Sequence, residues 1–280
     1  IVPFTRGRER SRPISSIVNE IKKSIKLGFV EFTLLGQNVN SYSTPDGKFP
    51  ELLHEVASIK GVKRIRFSSP HPQDVDDHML EVMSSHDNIC NYLHLPLQSG
   101  NDRILKRMNR SYSSKDFLDL AKKTREYMPE CSITSDIIVG FPGETEQEFQ
   151  DTLSVAKEVK FNFAYMFKYS SRPGTKAAEY TDQIPEGIKQ KRLVELINLQ
   201  LKNTLTQNKS LIGKTVKVLI EKESKKSKNQ WAGRSEGNTW VIFDKGNERV
   251  GEIIDIKIYD ARGVTLFGKN LNQEYKYEVA

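Results

Sequence analysis

The stretch Ile133-Thr134-Ser135-Asp136-Ile137-Ile138-Val139-Gly140-Phe141-Pro142-Gly143-Glu144-Thr145-Glu146-Gln147-Glu148-Phe149 decides how the chain reads. Residues 133–139 are apolar and β-branched, the composition of a buried parallel strand. Gly140-Phe141-Pro142-Gly143 then makes a tight turn. Pro142 pre-sets φ and Gly143 can take φ > 0, the pairing a type II turn requires. Glu144, Thr145 and Glu146 open a helix with acidic groups, which the helix dipole favours. A strand, a glycine turn and a helix start make a place where a flat ligand can lie against backbone. Asp136 is an acid inside this strand. A buried acid needs a ligand, an arginine or a backbone N–H group to reach it.

The same unit recurs on both sides of this stretch. Strands are expected at 29–35, 64–68, 92–95 and 161–169, besides 133–139. Helices are expected from a Ser15 or Ser16 cap through Leu27 with Gly28 at C′, then at 49–60, 75–84, 101–108, 114–127, 145–159 and 185–208. Alternating strands and helices imply a parallel sheet with helices outside. Such sheets, open or closed, place ligands at the carboxyl ends of their strands. The loops there hold Gln37 and Asn38; Ser69 and His71; Gln98 and Ser99; Gly140 to Glu144; and Ser170 to Thr175. Neutral hydrogen-bonding groups dominate, which suits a polar, zwitterionic or nucleoside ligand better than proton transfer at a carboxylate pair.

From residue 209 the texture changes. Short strands at 215–220, 230–234, 239–243, 252–260 and 265–268 are separated by Gly, Asn and Asp clusters, the pattern of a small antiparallel β-barrel. The expected division is therefore an α/β domain at 1–208, a β-barrel at 209–272 and a tail at 273–280. Small barrels often bind nucleic acid with basic loops and exposed aromatics. Trp231 and Trp240 either serve that purpose or fill the barrel core. The chain of 280 residues carries a net charge of +7, consistent with a polyanionic partner. The surplus clusters at Arg6 and Arg8, either a solvated loop or a phosphate-binding strip, and at Lys222, Lys225, Lys226, Lys228 and Arg234. The run from Lys222 to Lys228 is expected to be a charged loop.

Other classes are excluded. No run of about 18 apolar residues exists to span a membrane. Cys90 and Cys131 lack CxxC spacing and are expected to be buried, reduced thiols of a cytoplasmic protein. There is no Walker A loop, no G-x-G-x-x-G and no H-E-x-x-H. The five histidines lack metal-ligand spacing. His94, between apolar neighbours, reads as a satisfied strand residue, and His71, between two prolines, as the histidine nearest the ligand face. No catalytic residue and no metal ligand is assigned.

Several segments together resemble the methylthiotransferase branch of the radical S-adenosylmethionine enzymes. They are residues 1–13 (IVPFTRGRERSRP), 34–42 (LLGQNVNSY), 93–100 (LHLPLQSG), 108–112 (MNRSY), 135–144 (SDIIVGFPGE) and 169–175 (YSSRPGT). They fall in the family's order, and the C-terminal barrel resembles its TRAM domain. Gly36 to Tyr42 is most similar to the branch that modifies N6-dimethylallyladenosine. The resemblance implies a partial parallel (βα) barrel and S-adenosylmethionine as cofactor. It also implies two [4Fe-4S] clusters, an electron donor such as a flavodoxin, and a tRNA anticodon stem-loop as partner of a monomer. The implied reaction puts a methylthio group on C2 of the modified adenosine at tRNA position 37. The sister branches act on threonylcarbamoyl-adenosine or ribosomal protein S12, and a non-catalytic tRNA-binding remnant is a further alternative. In the family the last cysteine of the cluster triad directly precedes the residues matching Ile1-Val2-Pro3. The chain is therefore expected to lack the first strand and the cluster cysteines, to be inactive alone, and to leave a barrel edge unpaired. By the same resemblance, Gln37 would meet the methionine amino end, with Asn38 beside it as a further cofactor-binding candidate. Gln98 and Ser99 would meet the ribose or carboxylate, and Arg110 the carboxylate. Val139 to Gly143, with Gly140, would lie against adenine through backbone groups, and Asp136 is a further cofactor-binding candidate.

Overall fold

The computed structural model describes residues 10–271. Helix α1 (Ile14–Lys26) opens it, followed by β1 (Glu31–Leu34). The expected serine cap is not used. Pro13, with φ −55°, stands at the N-cap, so Ser15 and Ser16 fall inside the helix. Proline's fixed φ starts the helix earlier than a serine cap would. Gly28 takes φ +92° just past the helix, as expected. A short hairpin, β2 (Ser43–Thr44) and β3 (Gly47–Lys48), leads into α2 (Phe49–Ala57) and β4 (Arg64–Phe67). Then come α3 (Asp77–Ser85), β5 (Tyr92–His94), α4 (Asp102–Arg107) and α5 (Ser114–Tyr127). Next are β6 (Ser132–Val139), α6 (Glu146–Val159), β7 (Phe163–Lys168), the short α7 (Lys176–Glu179) and the long α8 (Glu186–Lys209).

The five expected strands are all present and parallel, as two ladders. β1 pairs with β4, and β5, β6 and β7 pair in that order. A bridge between Ile65 and Ile89 joins the ladders, with the Ile65 N–H donating to the Asn88 carbonyl at 2.7 Å. Among the described residues β1 pairs along one edge only. Side chains alternate across each strand. Phe67, Leu93, Ile133, Ile137 and Val139 face the helices and are buried. The register sets Tyr92 beside Ser132, His94 beside Thr134 and Phe163, and Asp136 beside Tyr165. The concave face is thus polar and aromatic rather than aliphatic.

The second domain comprises β8 (Thr215–Ser224), β9 (Ser227–Ser235), β10 (Trp240–Asp244), β11 (Ile253–Arg262) and β12 (Thr265–Asn270). They form a closed barrel in the order β10-β12-β11-β8-β9. Every pairing is antiparallel except β10 with β12, which is parallel. Val218, Ile220, Val241, Phe243, Ile256, Ile258 and Leu266 fill the core. Trp231 packs against that core, whereas Trp240 stays outside it. The segment from Lys222 to Lys228 is a hairpin rather than a loop. A register shift after Ile220 lets β8 and β9 stay paired out to Ser224 and Ser227.

The domains dock where β4 and β5 begin. Arg64 Nη1 donates to the Arg234 carbonyl at 2.9 Å and Nη2 to that of Lys217 at 3.3 Å. Arg66 donates to the carbonyls of Ser235 and Glu236 at 2.7 and 3.0 Å, and its Nε meets Glu31 at 3.3 Å. Both arginines are buried.

Candidate functional site

The β6–α6 turn forms as the sequence predicts. Gly140 and Gly143 take φ +71° and +77°, and the Glu144 N–H donates to the Phe141 carbonyl at 2.9 Å. Thr145 caps α6 in a capping box with Glu148. The chain then closes over the turn. The Gly140 N–H donates to Glu144 Oε2 at 2.7 Å, the Gly143 N–H to the Asp182 carbonyl at 2.8 Å, and Arg103 Nη2 to the Gly143 carbonyl at 2.6 Å. A Cβ on Gly140 would stand 2.5 Å from Lys189 Cγ, so the glycine serves close packing by α8 as well as φ. Glu144 is fully buried and pairs with Arg192 at 2.8 Å. Burial holds its carboxyl above the usual range despite the Gly140 N–H and Arg192. Glu144 Oε1 and the Tyr169 hydroxyl are buried without a partner. Glu148 accepts from Arg103 through both oxygens, and that hydrogen bond first, with Thr145 behind it, holds its carboxyl at about 2.

Gln98 and Ser99 follow β5. Gln98 takes φ +66°; its N–H donates to the Asp136 carbonyl at 2.8 Å and its carbonyl accepts from Ile138 at 2.9 Å. Ser99 is fully buried, with its Oγ 3.4 Å from Thr152 Oγ1 on α6. Asp136 is half-buried on the concave face. Its partner is neither an arginine nor a backbone N–H but His94, whose Nε2 lies 3.4 Å from Oδ2. The other ring nitrogen of His94 is 2.9 Å from Thr134 Oγ1, so this histidine is satisfied within the sheet.

Gln37 and Asn38 line a different space, a cavity of about 660 Å³ between α1 and β1 that also takes in Arg12, Glu20 and Tyr42. Their side-chain amides make no hydrogen bond among the described residues. Arg110 lies in a third neighbourhood with His71 and Tyr112, and makes no ion pair there among the described residues. Burial lowers the His71 pKa, with Arg110 adding to the effect against Asp74. The structure therefore gathers Gln98, Asp136, Val139, Gly140 and Gly143 at the ends of β5 and β6, and sets Gln37, Asn38 and Arg110 apart.

Among the described residues, no group of three or more His, Cys, Asp or Glu could hold a metal ion. Cys90 and Cys131 are free and buried, and burial pushes their thiols up to about 11 and about 12. Neither is a thiolate at neutral pH, so these residues do not fit an iron–sulfur cluster.

On the second domain Lys222, Lys225, Lys226 and Lys228 are exposed along the β8–β9 hairpin. Lys222 and Arg234 converge on Trp240, 4.5 and 4.6 Å from the ring centroid. Arg6 and Arg8 lie outside the described residues. The sequence reasoning missed Arg64, Arg66 and Arg192, and with Arg192 the buried pairing of Glu144. Arg64-Ile65-Arg66-Phe67 did carry a signal, since its period-two alternation puts both arginines on the face opposite the core.

The Radical SAM superfamily profile matches residues 2–156, more than half of the chain, and the TRAM domain profile matches residues 209–271. Curated relatives include a tRNA-2-methylthio-N(6)-dimethylallyladenosine synthase of Christiangramia forsetii, 46% identical across 96% of this chain and 60% of its own length. One of the same name from Porphyromonas gingivalis is 49% identical across 96% of this chain and 59% of its own length. The chain thus spans about three fifths of the relatives it matches. Among solved structures, Escherichia coli coproporphyrinogen III oxidase, a Radical SAM enzyme, superposes with a TM-score of 0.51. It is 14% identical and covers 80% of this chain and 59% of its own, a likeness of fold. The chain belongs to the Radical SAM superfamily and ends in a TRAM domain.

Proposed function

We propose that the chain is the S-adenosylmethionine-binding and RNA-binding part of a tRNA methylthiotransferase that modifies C2 of N6-dimethylallyladenosine at tRNA position 37. The observation that carries this is the similarity to synthases of that name at 46% and 49% identity along nearly the whole chain. The division into an α/β domain at 1–208 and a barrel at 209–272 belongs to the same reading.

S-adenosylmethionine, when bound, supplies the radical chemistry of the superfamily. In our reading Gln37 and Asn38 hold its methionine amino end, and both line the cavity between α1 and β1. Gln98 and Ser99 face the ribose or carboxylate and Arg110 the carboxylate, Asp136 is a further cofactor-binding residue, and Val139, Gly140 and Gly143 face the adenine. Gln37 and Asn38 have the strongest support, because Ser99 and the glycine turn already spend their hydrogen bonds within the chain. Two [4Fe-4S] clusters are part of the proposed intact enzyme. The described residues do not fit a cluster. A flavodoxin-like electron donor, a monomeric state and a cytoplasmic location complete the proposal. In support, no helix among the described residues is long and apolar enough to cross a membrane.

The test is nucleoside mass spectrometry of tRNA from cells in which the gene for this chain is deleted. The 2-methylthio group should vanish, leaving N6-dimethylallyladenosine in its place. An unchanged nucleoside profile overturns the proposal.

A further inference from the structure

A cavity of about 250 Å³ lies between the two domains, at the amino ends of β5, β6 and β7 and so at the end opposite the glycine turn. Tyr92, Phe163 and Tyr165 line it from the α/β side, and Asn238 and Trp240 from the barrel side. Phe163 and Tyr165 are 37% and 50% exposed, with rings edge to face at 5.0 Å. Large aromatics left this open on a sheet face are unusual unless something stacks on them. Among the described residues, Arg234 is the one charged residue of the lining, paired with Glu221 at 3.5 Å, and the other polar groups inside are uncharged. The Tyr92 hydroxyl is hydrogen bonded to Thr134 and Asn238. Asn162 accepts from the Ile133 N–H through its carbonyl oxygen, which leaves its NH₂ group as a donor. Cations gather at the rim, where Lys222 and Arg234 flank Trp240 and the β8–β9 hairpin extends the basic strip.

Aromatic faces, neutral amides and hydroxyls within, and cations at the mouth match a nucleotide, with its base inside and its phosphate at the rim. A duplex keeps its bases stacked and offers none, so the ligand is a nucleotide of an unpaired loop. We propose that this interdomain cleft captures one unpaired base of the RNA substrate, with its phosphate held by Lys222 and Arg234. The proposal rests on the RNA-binding reading above and adds a second base subsite, away from the S-adenosylmethionine loops. Both domains line the cleft, and Arg64 and Arg66 help to hold the barrel in place, together with Asn208 to the Gly263 carbonyl and Lys214 to Glu130.

The test titrates the whole chain into an anticodon stem-loop carrying 2-aminopurine at successive loop positions, and into a fully paired duplex carrying the same base. One loop position should be quenched on binding and the duplex should not respond. Tyr165→Leu and Trp240→Leu should each weaken loop binding about tenfold and leave duplex binding unchanged. Should Trp240→Leu unfold the barrel, Tyr165→Leu decides alone, because its half-exposed side chain lies on the other domain. Wild-type loop affinity in Tyr165→Leu, or identical responses from loop and duplex, overturns base capture while the RNA-binding reading stands. Failure of both RNAs to bind overturns both.

Discussion

At the carboxyl end of β6 the chain closes on itself, whereas at the amino ends of β5, β6 and β7 two domains leave a cleft open between them. The glycine turn spends its N–H groups on Glu144 and Asp182 and lies under α8. The cleft keeps aromatic rings exposed and amide groups in hand. Both regions use the same strands. They differ in what organises them: one is set by a local motif, the other by a docking contact between residues about 170 positions apart. The turn takes its φ values from its own glycines, and Arg103, Asp182 and Arg192 then seal it. A cleft made by docking persists only as long as the dock.

Substitutions separate the two cases. The largest effect is expected at Arg192. Replacing it by Leu strands the buried Glu144 carboxylate and should cost about 3–5 kcal/mol in chemical denaturation. A wild-type denaturation midpoint would mean that the turn is not sealed as described. Next is Arg66→Met, which removes two donors to the barrel's backbone. It should cost about 2–3 kcal/mol and split thermal unfolding into two transitions as the barrel loosens. A single transition at the wild-type temperature would show that the dock does not hold the cleft. A smaller loss, about 1 kcal/mol at neutral pH, is expected for Glu148→Gln, which weakens the capping box and the Arg103 pair. Glu148 titrates at about 2 in the folded chain, below its ordinary 4.5. A depressed carboxyl adds stability that is present above the unfolded value and lost as pH falls through the folded one. The gap between wild type and variant should therefore be full at pH 7 and close between about 4.5 and 2. A gap independent of pH would contradict the ion pair.

Legibility in the sequence followed the same divide. The five parallel strands, the φ > 0 glycine at Gly143 and the five-stranded barrel could be read because each is a local pattern of periodicity and turn chemistry, whereas the φ > 0 of Gly140 was not foreseen. The parallel β10–β12 pairing could not, since strand direction in a closed barrel depends on which strands meet at closure. Nor could the Asp136–His94 contact, because β5 and β6 are brought together by the sheet and not by spacing. Of the described basic residues named from sequence, only Lys222 and Arg234 meet at one ring, and Trp240 proves to lie at the cleft rather than in the core. The cleft itself was hidden, being composed of residues from two domains. The arginines at 64 and 66 were its nearest signal, two charges on the face of a strand where the core pattern leaves no place for them.

The salt dependence of anticodon stem-loop binding tests most directly the claim that the basic hairpin and the cleft form one RNA surface. Contacts from Lys222, Lys225, Lys226, Lys228 and Arg234 predict that affinity falls at least about a hundredfold between roughly 50 and 200 mM salt. An affinity that stays flat across that range would contradict it.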